Sequence, residues 1–424
     1  MLFVKWRGNP PIMIKKISFF LAVLSFGSAF AQSSRCSTDE FLMAKFENNT
    51  ALKAQYEETI DAIRTASKHV HAMKMAMDDE GDEIITIPVV FHIVHRLSSQ
   101  NISDERIFEQ IDILNADYSG ANTDIGSVPS DFSAFVGSSR IRFELASFDP
   151  DGNPTTGIER IATDSITFSM NDEGIKHSEL GGADVWTNTE YLNIWVGRIE
   201  NGLLGYATPP NTASASEDGV VIGYKYVGLS SDASYNLGRT ATHEIGHYLG
   251  LSHIWGPYGP SCSFDDNIAD TPMQFDAHYA NPGHPSISCN SADMFMNYMD
   301  YVEDEDMFFF TIGQVSNMET AVVNYRAGLM NSPALSIEET ISVDDIKVHP
   351  VPVNSGSELF IQIPEMADVS QIKIIDLLGR VHVSQNVDSD VEEISIKVNG
   401  LSTGVYMLQL KGLDNTYNKR IVIR

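Results

Sequence analysis

The eleven residues His243 to His253, HEIGHYLGLSH, constrain this chain more than any other stretch. They satisfy H-E-x-x-H-x-x-G-x-x-H at every specified position. On a helix, His243 and His247 stand one turn apart on one face, so their imidazoles can converge on a single ion, with Glu244 beside them to handle a proton. A third ligand from the next turn reaches the same ion only if the chain changes direction sharply. Gly250 allows that change, because glycine takes the left-handed conformation that ends a helix without steric penalty. His253 then completes a three-histidine set whose fourth position stays open for water, the pattern of a catalytic rather than a structural zinc site. A bare H-E-x-x-H arises by chance in roughly one unrelated chain in a hundred of this length, and the added glycine and histidine lower that about a thousandfold. Three histidines on an ordinary helix are therefore a poor explanation.

Around this motif the sequence resembles the metzincin zinc metalloproteases, and within them the pappalysin-like, ulilysin-type family. The resemblance rests on NYMDY at Asn297 to Tyr301, IPVVFHIVH from Ile87, YLNIWVGRIE from Tyr191, GLLGYA from Gly202, NLGRTATHE before the histidines, ADTPMQ from Ala269 and FTIGQVSNM from Phe310. It spans about Ile84 to Tyr325. It implies an α/β (α+β) catalytic domain, a twisted mixed sheet with backing helices above a loop-rich lower subdomain, and zinc-dependent hydrolysis of protein or peptide substrates. By the same resemblance Met299 is the turn methionine beneath the zinc, and Tyr301 steadies the transition state. Asp266 and Thr271 match calcium ligands. Asp304, five residues after Met299, matches an aspartate that goes with Arg or Lys just after the cleaved bond. Asp306 stands where relatives carry a further disulfide cysteine.

The two ends read as addresses. Lys15 and Lys16 precede the apolar run Ile17 to Phe26, and Ala29-Phe30-Ala31 gives a signal-peptidase pattern, so residues 1–31 are expected to be a signal peptide with Met13 at its head. No later segment has eighteen uninterrupted apolar residues, so no transmembrane segment is expected in the mature form. With 28 Lys+Arg against 57 Asp+Glu the formal charge is -29, a surface that repels phosphate backbones and excludes nucleic acid as a partner. A monomer is expected, and 424 residues exceed the usual single-core limit.

Residues 32–83 read as a helical, charged pro-peptide that ends in the acidic linker Asp78 to Glu83. In an exported protein Cys262 and Cys289, flanking a loop-rich stretch, are expected to form a disulfide. Cys36, in RCSTDE, lies outside that pair. A thiolate is a strong zinc ligand, so a pro-segment cysteine can take the open position and hold the enzyme latent; relatives use such a cysteine switch within Cys-Gly-Thr, where this chain has Ser37 for the glycine.

The catalytic domain is expected over residues 84–330. Ile84 to Val94 reads as a buried strand, and Asn101 to Tyr118 as a long helix with Ser103 as N-cap and Ile107, Ile111 and Leu114 on one face. Further strands are expected at Ile141 to Ala146, Tyr191 to Val196 and Gly219 to Tyr224. His92, His95, His177 and His278 fit no ligand spacing and are assigned structural or solvated roles. After a linker at 331–345, residues 346–424 show short strands at regular spacing, LFIQI, QIKIIDLLGRVHV, EISIKV, LSTGVYMLQL and KRIVIR, as in a β-sandwich. The Asp376 to Arg380 turn, Gly404-Val405-Tyr406 and the last strand resemble type IX secretion sorting domains. That resemblance implies the type IX machinery as a partner and a secreted or surface-attached product.

These observations point to a secreted zinc endopeptidase made as a latent zymogen. The rival is a surface adhesion protein with a silent zinc fold, in which the terminal sandwich does the binding. Retention of Glu244, three histidines, Met299 and Tyr301 together argues against it.

Overall fold

The computed structural model describes residues 35–47, 49–74, 84–257, 259–335, 346–363, 369–376, 380–387, 393–412 and 416–424, besides Gly8. Apart from Gly8, the expected signal peptide, the acidic linker Asp78 to Glu83, residues 336–345 of the connector and Leu377 to Gly379 of the tail turn lie outside the described residues. The chain falls into two compact units divided between Leu335 and Ser336. The first runs slightly past residue 330: Ala334 packs with Val90, Ala146 and Tyr191, and its carbonyl accepts from Ser147 N at 2.7 Å.

The first unit opens with two helices, α1 (Thr38–Glu47) and α2 (Thr50–Lys74). Strand β1 (Ile85–His95) follows, buried at all but Thr86 and His95, as expected of a parallel strand covered on both faces. It pairs in parallel with β2 (Ile141–Leu145) along its first half, with β3 (Ile158–Ala162) along its second, and with β4 (Leu192–Gly197) on the other side. Beyond β4 lie parallel β6 (Val220–Gly223) and then antiparallel β5 (Gly205–Ala207), which forms the edge. The sheet is therefore mixed, as expected. Helix α3 (Asp104–Ser119) buries Ile107 and Leu114, with Ser103 at the cap position in extended backbone, although its hydroxyl makes no capping bond.

Helix α4 (Arg239–Tyr248) carries the first two histidines and is buried at all ten residues, which explains why it shows no ordinary polar face. A charged cluster anchors it. Arg239 donates to Asp124 at 2.7 Å and to the Met307 carbonyl at 2.6 Å, while Asp117 accepts from Thr242 at 2.7 Å and from Tyr298 at 2.9 Å. Between α4 and residue 303 the described chain is irregular apart from the short hairpin β7 (Ile287–Ser288) and β8 (Ser291–Ala292). Cys262 and Cys289 are disulfide-bonded there, with Cα atoms 5.4 Å apart. Helix α5 (Ile312–Tyr325) starts with a capping box in which Thr311 and Gln314 satisfy each other's backbone N–H groups. Helix α2 lies on α5 through Ile60, Ile63 and Ala321.

In the second unit both sheets are antiparallel. One sheet has β10 (Glu358–Gln362) between β9 (Lys347–His349) and β13 (Glu393–Lys397). The other runs β12 (Val381–Asn386), β11 (Gln371–Asp376), β14 (Gly404–Lys411), β15 (Thr416–Ile423). Leu359, Ile361, Ile372, Ile374, Leu408, Leu410, Ile421 and Ile423 from both sheets share one core. That is the sandwich read from the alternating pattern.

Candidate active site

Helix α4 ends as the sequence requires. Gly250 has φ +87°, and Leu251 N reaches back to the Gly246 carbonyl at 3.0 Å, which turns the chain and brings His253 to the other two histidines. The Nε2 atom of His247 lies 3.1 Å from Nε2 of His243 and 3.1 Å from Nε2 of His253. The opposite nitrogens are all engaged: Nδ1 donates to the Tyr298 carbonyl from His243 (2.7 Å), to the Leu251 carbonyl from His247 (2.8 Å) and to the Asp39 carboxylate from His253 (2.7 Å). Each bond places the ring proton on Nδ1, leaving three Nε2 lone pairs facing one point. Burial, reinforced by the neighbouring histidines, holds the His243 pKa well below the usual value and brings His247 down to about 3. Neutral imidazoles are what a metal needs.

The fourth group at this point is Cys36, whose Sγ lies within 4.8 Å of the three histidine ligand atoms. Burial, with Glu244 adding to it, raises the thiol pKa in the protein's own environment. Three histidines and one cysteine form a zinc donor set, and among the described residues no other group of three or more His, Cys, Asp or Glu could hold an ion.

Glu244 is buried. Its Oε2 accepts from Thr38 Oγ1 at 3.1 Å and from Cys36 Sγ at 3.5 Å, while its Oε1 has no hydrogen-bond partner among the described residues. Burial pushes its pKa up to about 8 against the lowering effect of those bonds. Edge strand β5 passes close by, where an added Cβ on Gly205 would meet Glu244 Cγ at 2.9 Å. Met299 lies under the helix, with Sδ 2.6 Å from where a Cβ on Gly246 would sit. Its turn is tied to α5 by Asn297 and Gln314, whose side-chain amides exchange hydrogen bonds of 2.7 and 2.9 Å. Tyr301 OH donates to the Cys36 carbonyl at 3.3 Å, and its ring is 4.8 Å edge-on from His253.

The N-terminal segment enters beside β5. Cys36 bridges Gly205 in parallel, and Ser37 N donates to the Gly205 carbonyl at 3.3 Å. Arg35, just before, is buried: it donates to Asp304 Oδ1 at 3.1 Å and to the Val302 carbonyl, and lies 4.9 Å over the Tyr235 ring. Asp304 is the one fully buried acid of the Glu303 to Asp306 run, and its Oδ2 accepts from Leu237 N at 2.9 Å.

Residues 176–323 match the peptidase family described as pregnancy-associated plasma protein-A. The mature mirolysin of Tannerella forsythia, solved with a cleaved peptide, is 45% identical over 59% of this chain and 96% of that one, with a TM-score of 0.57. The chain belongs to the pappalysin family. A Tannerella forsythia promirolysin mutant is 40% identical, covers 70% of this pappalysin and 96% of that chain, and gives a TM-score of 0.62. An extracellular metalloprotease of Arthroderma gypseum is 32% identical over 252 residues, which is 58% of this chain and 74% of that protein. Residues 347–424 match a secretion-system C-terminal sorting domain. This pappalysin is thus a metalloprotease, of a family that implies zinc, sent out of the cell or to its surface. Among its described residues no helix is long and apolar enough to cross a membrane.

The sequence-predicted residues His243, His247, His253, Glu244, Met299 and Tyr301 come together here, and Asp304 lies at the end of the Arg35 side chain. Asp266 and Thr271 meet elsewhere: Thr271 Oγ1 donates to Asp266 Oδ1 at 2.6 Å, and the buried Asp266 Oδ2 has no partner among the described residues. His92 is structural, held between Glu159 (2.7 Å) and Asn193 (2.9 Å). Sequence reasoning missed the contributions of Arg35, Thr38 and Asp39. Their nearness to Cys36 in RCSTDE was the available signal, but nothing local names their partners.

Proposed function

We propose that this pappalysin is a zinc endopeptidase made as a latent zymogen, in which His243, His247 and His253 hold the ion and Cys36 closes its fourth position until the pro-segment is removed. The observation that carries this reading is the convergence of three Nε2 lone pairs and one sulfur beside the unpartnered Oε1 of Glu244. When bound, zinc supplies Lewis acidity toward a water and toward the scissile carbonyl. Glu244 takes a proton from the attacking water and delivers it to the leaving amine. Tyr301, kept as a phenol by burial that raises its pKa well above the usual value, donates its O–H to the oxygen that gains negative charge. Asp304 receives the side chain of an Arg or Lys just after the cleaved bond; the Arg35 guanidinium in that position supports the match.

Asp266 and Thr271 are the proposed calcium contacts, on the strength of the orphaned Asp266 oxygen. Protein or peptide chains are the substrates, and the type IX machinery is the export partner of residues 347–424; one chain supplies every group in the cleft, so a monomer suffices for the reaction.

Glu244→Ala tests the assignment. Casein hydrolysis should vanish while metal analysis still finds one zinc per chain, and in the unmodified enzyme a chelator should block hydrolysis and added zinc restore it. Wild-type turnover by Glu244→Ala refutes the role of Glu244. Folded, active protein without zinc refutes the site.

A further inference from the structure

The partners of the three outward-facing histidine nitrogens are not equivalent. Tyr298 and Leu251, which serve His243 and His247, offer backbone carbonyls from the region of the zinc motif and the methionine turn, far along the chain from the N-terminal segment. The partner of His253 is the side chain of Asp39, in the first turn of α1, 2.7 Å away and 214 residues earlier in the chain. Its carboxylate is about a quarter exposed. Besides the His247 and His243 rings, at 4.5 and 5.3 Å, the His253 ring meets Trp255, stacked at 4.5 Å, and the edge-on Tyr301 ring at 4.8 Å. The last two hold the ring by its faces and edges, and among the described residues the hydrogen bond at Nδ1 is the one to Asp39.

We infer that Asp39 is a positioning residue of the metal centre: while the pro-segment is docked it fixes the tautomer and orientation of His253, so that the precursor retains zinc more tightly than the processed enzyme, independently of the Cys36 thiol. The inference rests on the reading of the three histidines as the zinc site. Its physical basis is general. A carboxylate that accepts from the far nitrogen of a metal-bound imidazole orients the ring and increases its basicity, and loss of such a partner typically weakens metal affinity about 10- to 100-fold. Removing the pro-segment leaves that nitrogen to water. The precursor is then the form that keeps its ion in zinc-poor surroundings, and processing gives up part of that hold as it opens the cleft.

The test is made on the full chain carrying Glu244→Ala, so that no self-cleavage occurs, and Cys36→Ala, so that sulfur ligation does not mask the effect. Zinc affinity is measured by competition with a chromophoric chelator. Adding Asp39→Asn should weaken binding about 10-fold or more, and Asp39→Glu should recover part of the loss. The His253 Nδ1 proton should move upfield in NMR spectra of the Asn variant. After the pro-segment is cut away by an added protease, position 39 leaves with it, and the processed chain should bind zinc at the weaker level of the Asn variant; processed chain that binds as tightly as the Asp39 precursor overturns the inference. Arg35→Ala loosens the same segment at Asp304 but leaves the carboxylate, and should keep the parent affinity. Equal affinity of the Asp39→Asn variant and its parent overturns the inference, as does an equal loss on Arg35→Ala, which would make general docking the cause. Absence of stoichiometric zinc from the chain carrying Glu244→Ala alone would instead overturn the site assignment.

Discussion

Replacing Asp304 by Asn probes the proposed selectivity with little change of shape. Asp304 and Arg35 pair at 3.1 Å with side chains 0% and 1% exposed, so the carboxylate charge acts in a dry setting. Full truncation would break a buried pair, an effect of about 3–5 kcal/mol, but would also strip an acceptor from the backbone N–H groups of Leu237 and Arg239. Asparagine keeps one oxygen for them, so its effect is confined to the charge. A hydrogen bond to a charged group contributes about 1.5–3 kcal/mol, and about 1.4 kcal/mol is a factor of ten. The expected loss is therefore about 10- to 100-fold in kcat/KM for a peptide with Arg after the cleaved bond. A matched peptide with Leu there should change little. The assay is quenched-fluorescence cleavage of the two peptides by processed enzyme, with zinc content and thermal unfolding as checks on integrity. An Arg-to-Leu ratio equal to that of the parent would refute the reasoning, since Asp304 would then lie outside the pocket that reads this residue.

Three further outcomes follow from the packing and charges around the cleft. Gly246→Ala gains up to about 1 kcal/mol of helix propensity, but its Cβ would lie 2.6 Å from Met299 Sδ, and overpacking of this kind costs about 1–3 kcal/mol; differential scanning calorimetry of the Glu244→Ala chain should show the melting temperature lowered by a few degrees, and an increase would contradict the packing described. Cys36→Ala should hasten self-processing of the precursor, seen as earlier appearance of the mature band on gels, whereas unchanged latency would count against sulfur ligation. At His278, burial lowers the pKa but the Asp300 carboxylate more than offsets it, leaving the folded-state pKa above the ordinary value. Its stabilising contribution, below about 1 kcal/mol for a part-exposed pair, should be complete below about pH 6.5 and disappear as pH rises through the folded-state pKa. His278→Gln should flatten that part of the melting temperature against pH curve.

The metal motif was legible because all its geometry is local: two ligands one helical turn apart, a glycine able to reverse the chain, and a third ligand three residues later. Strands β1 and β4 and helix α3 were legible for a related reason, since burial imposes a period on the sequence. Strand β3 was not, because its residues alternate between intermediate and exposed with none buried, so no hydrophobic period marks it. Strand β5 has three residues, too few for a pattern. The contacts that complete the cleft were beyond reach for another reason. Arg35 meets Asp304 across 269 residues and Asp39 meets His253 across 214, and no spacing rule operates at such separations. The cluster of Asp117, Arg239, Thr242 and Tyr298 likewise joins three elements whose adjacency only the folded chain defines.

The parallel bridge between Cys36 and Gly205 fixes the direction in which the N-terminal segment travels. Read from N to C, it passes from the acidic recess, filled by Arg35, to the histidines, met by Cys36. A peptide whose basic residue comes just after the bond to be cut must travel the other way, from the histidines into that recess. The segment therefore threads the cleft in the direction opposite to such a peptide, filling the recess proposed for its basic residue while offering the catalytic groups no amide in the orientation they would hydrolyse. It can occupy the enzyme for as long as it stays attached without becoming its first meal.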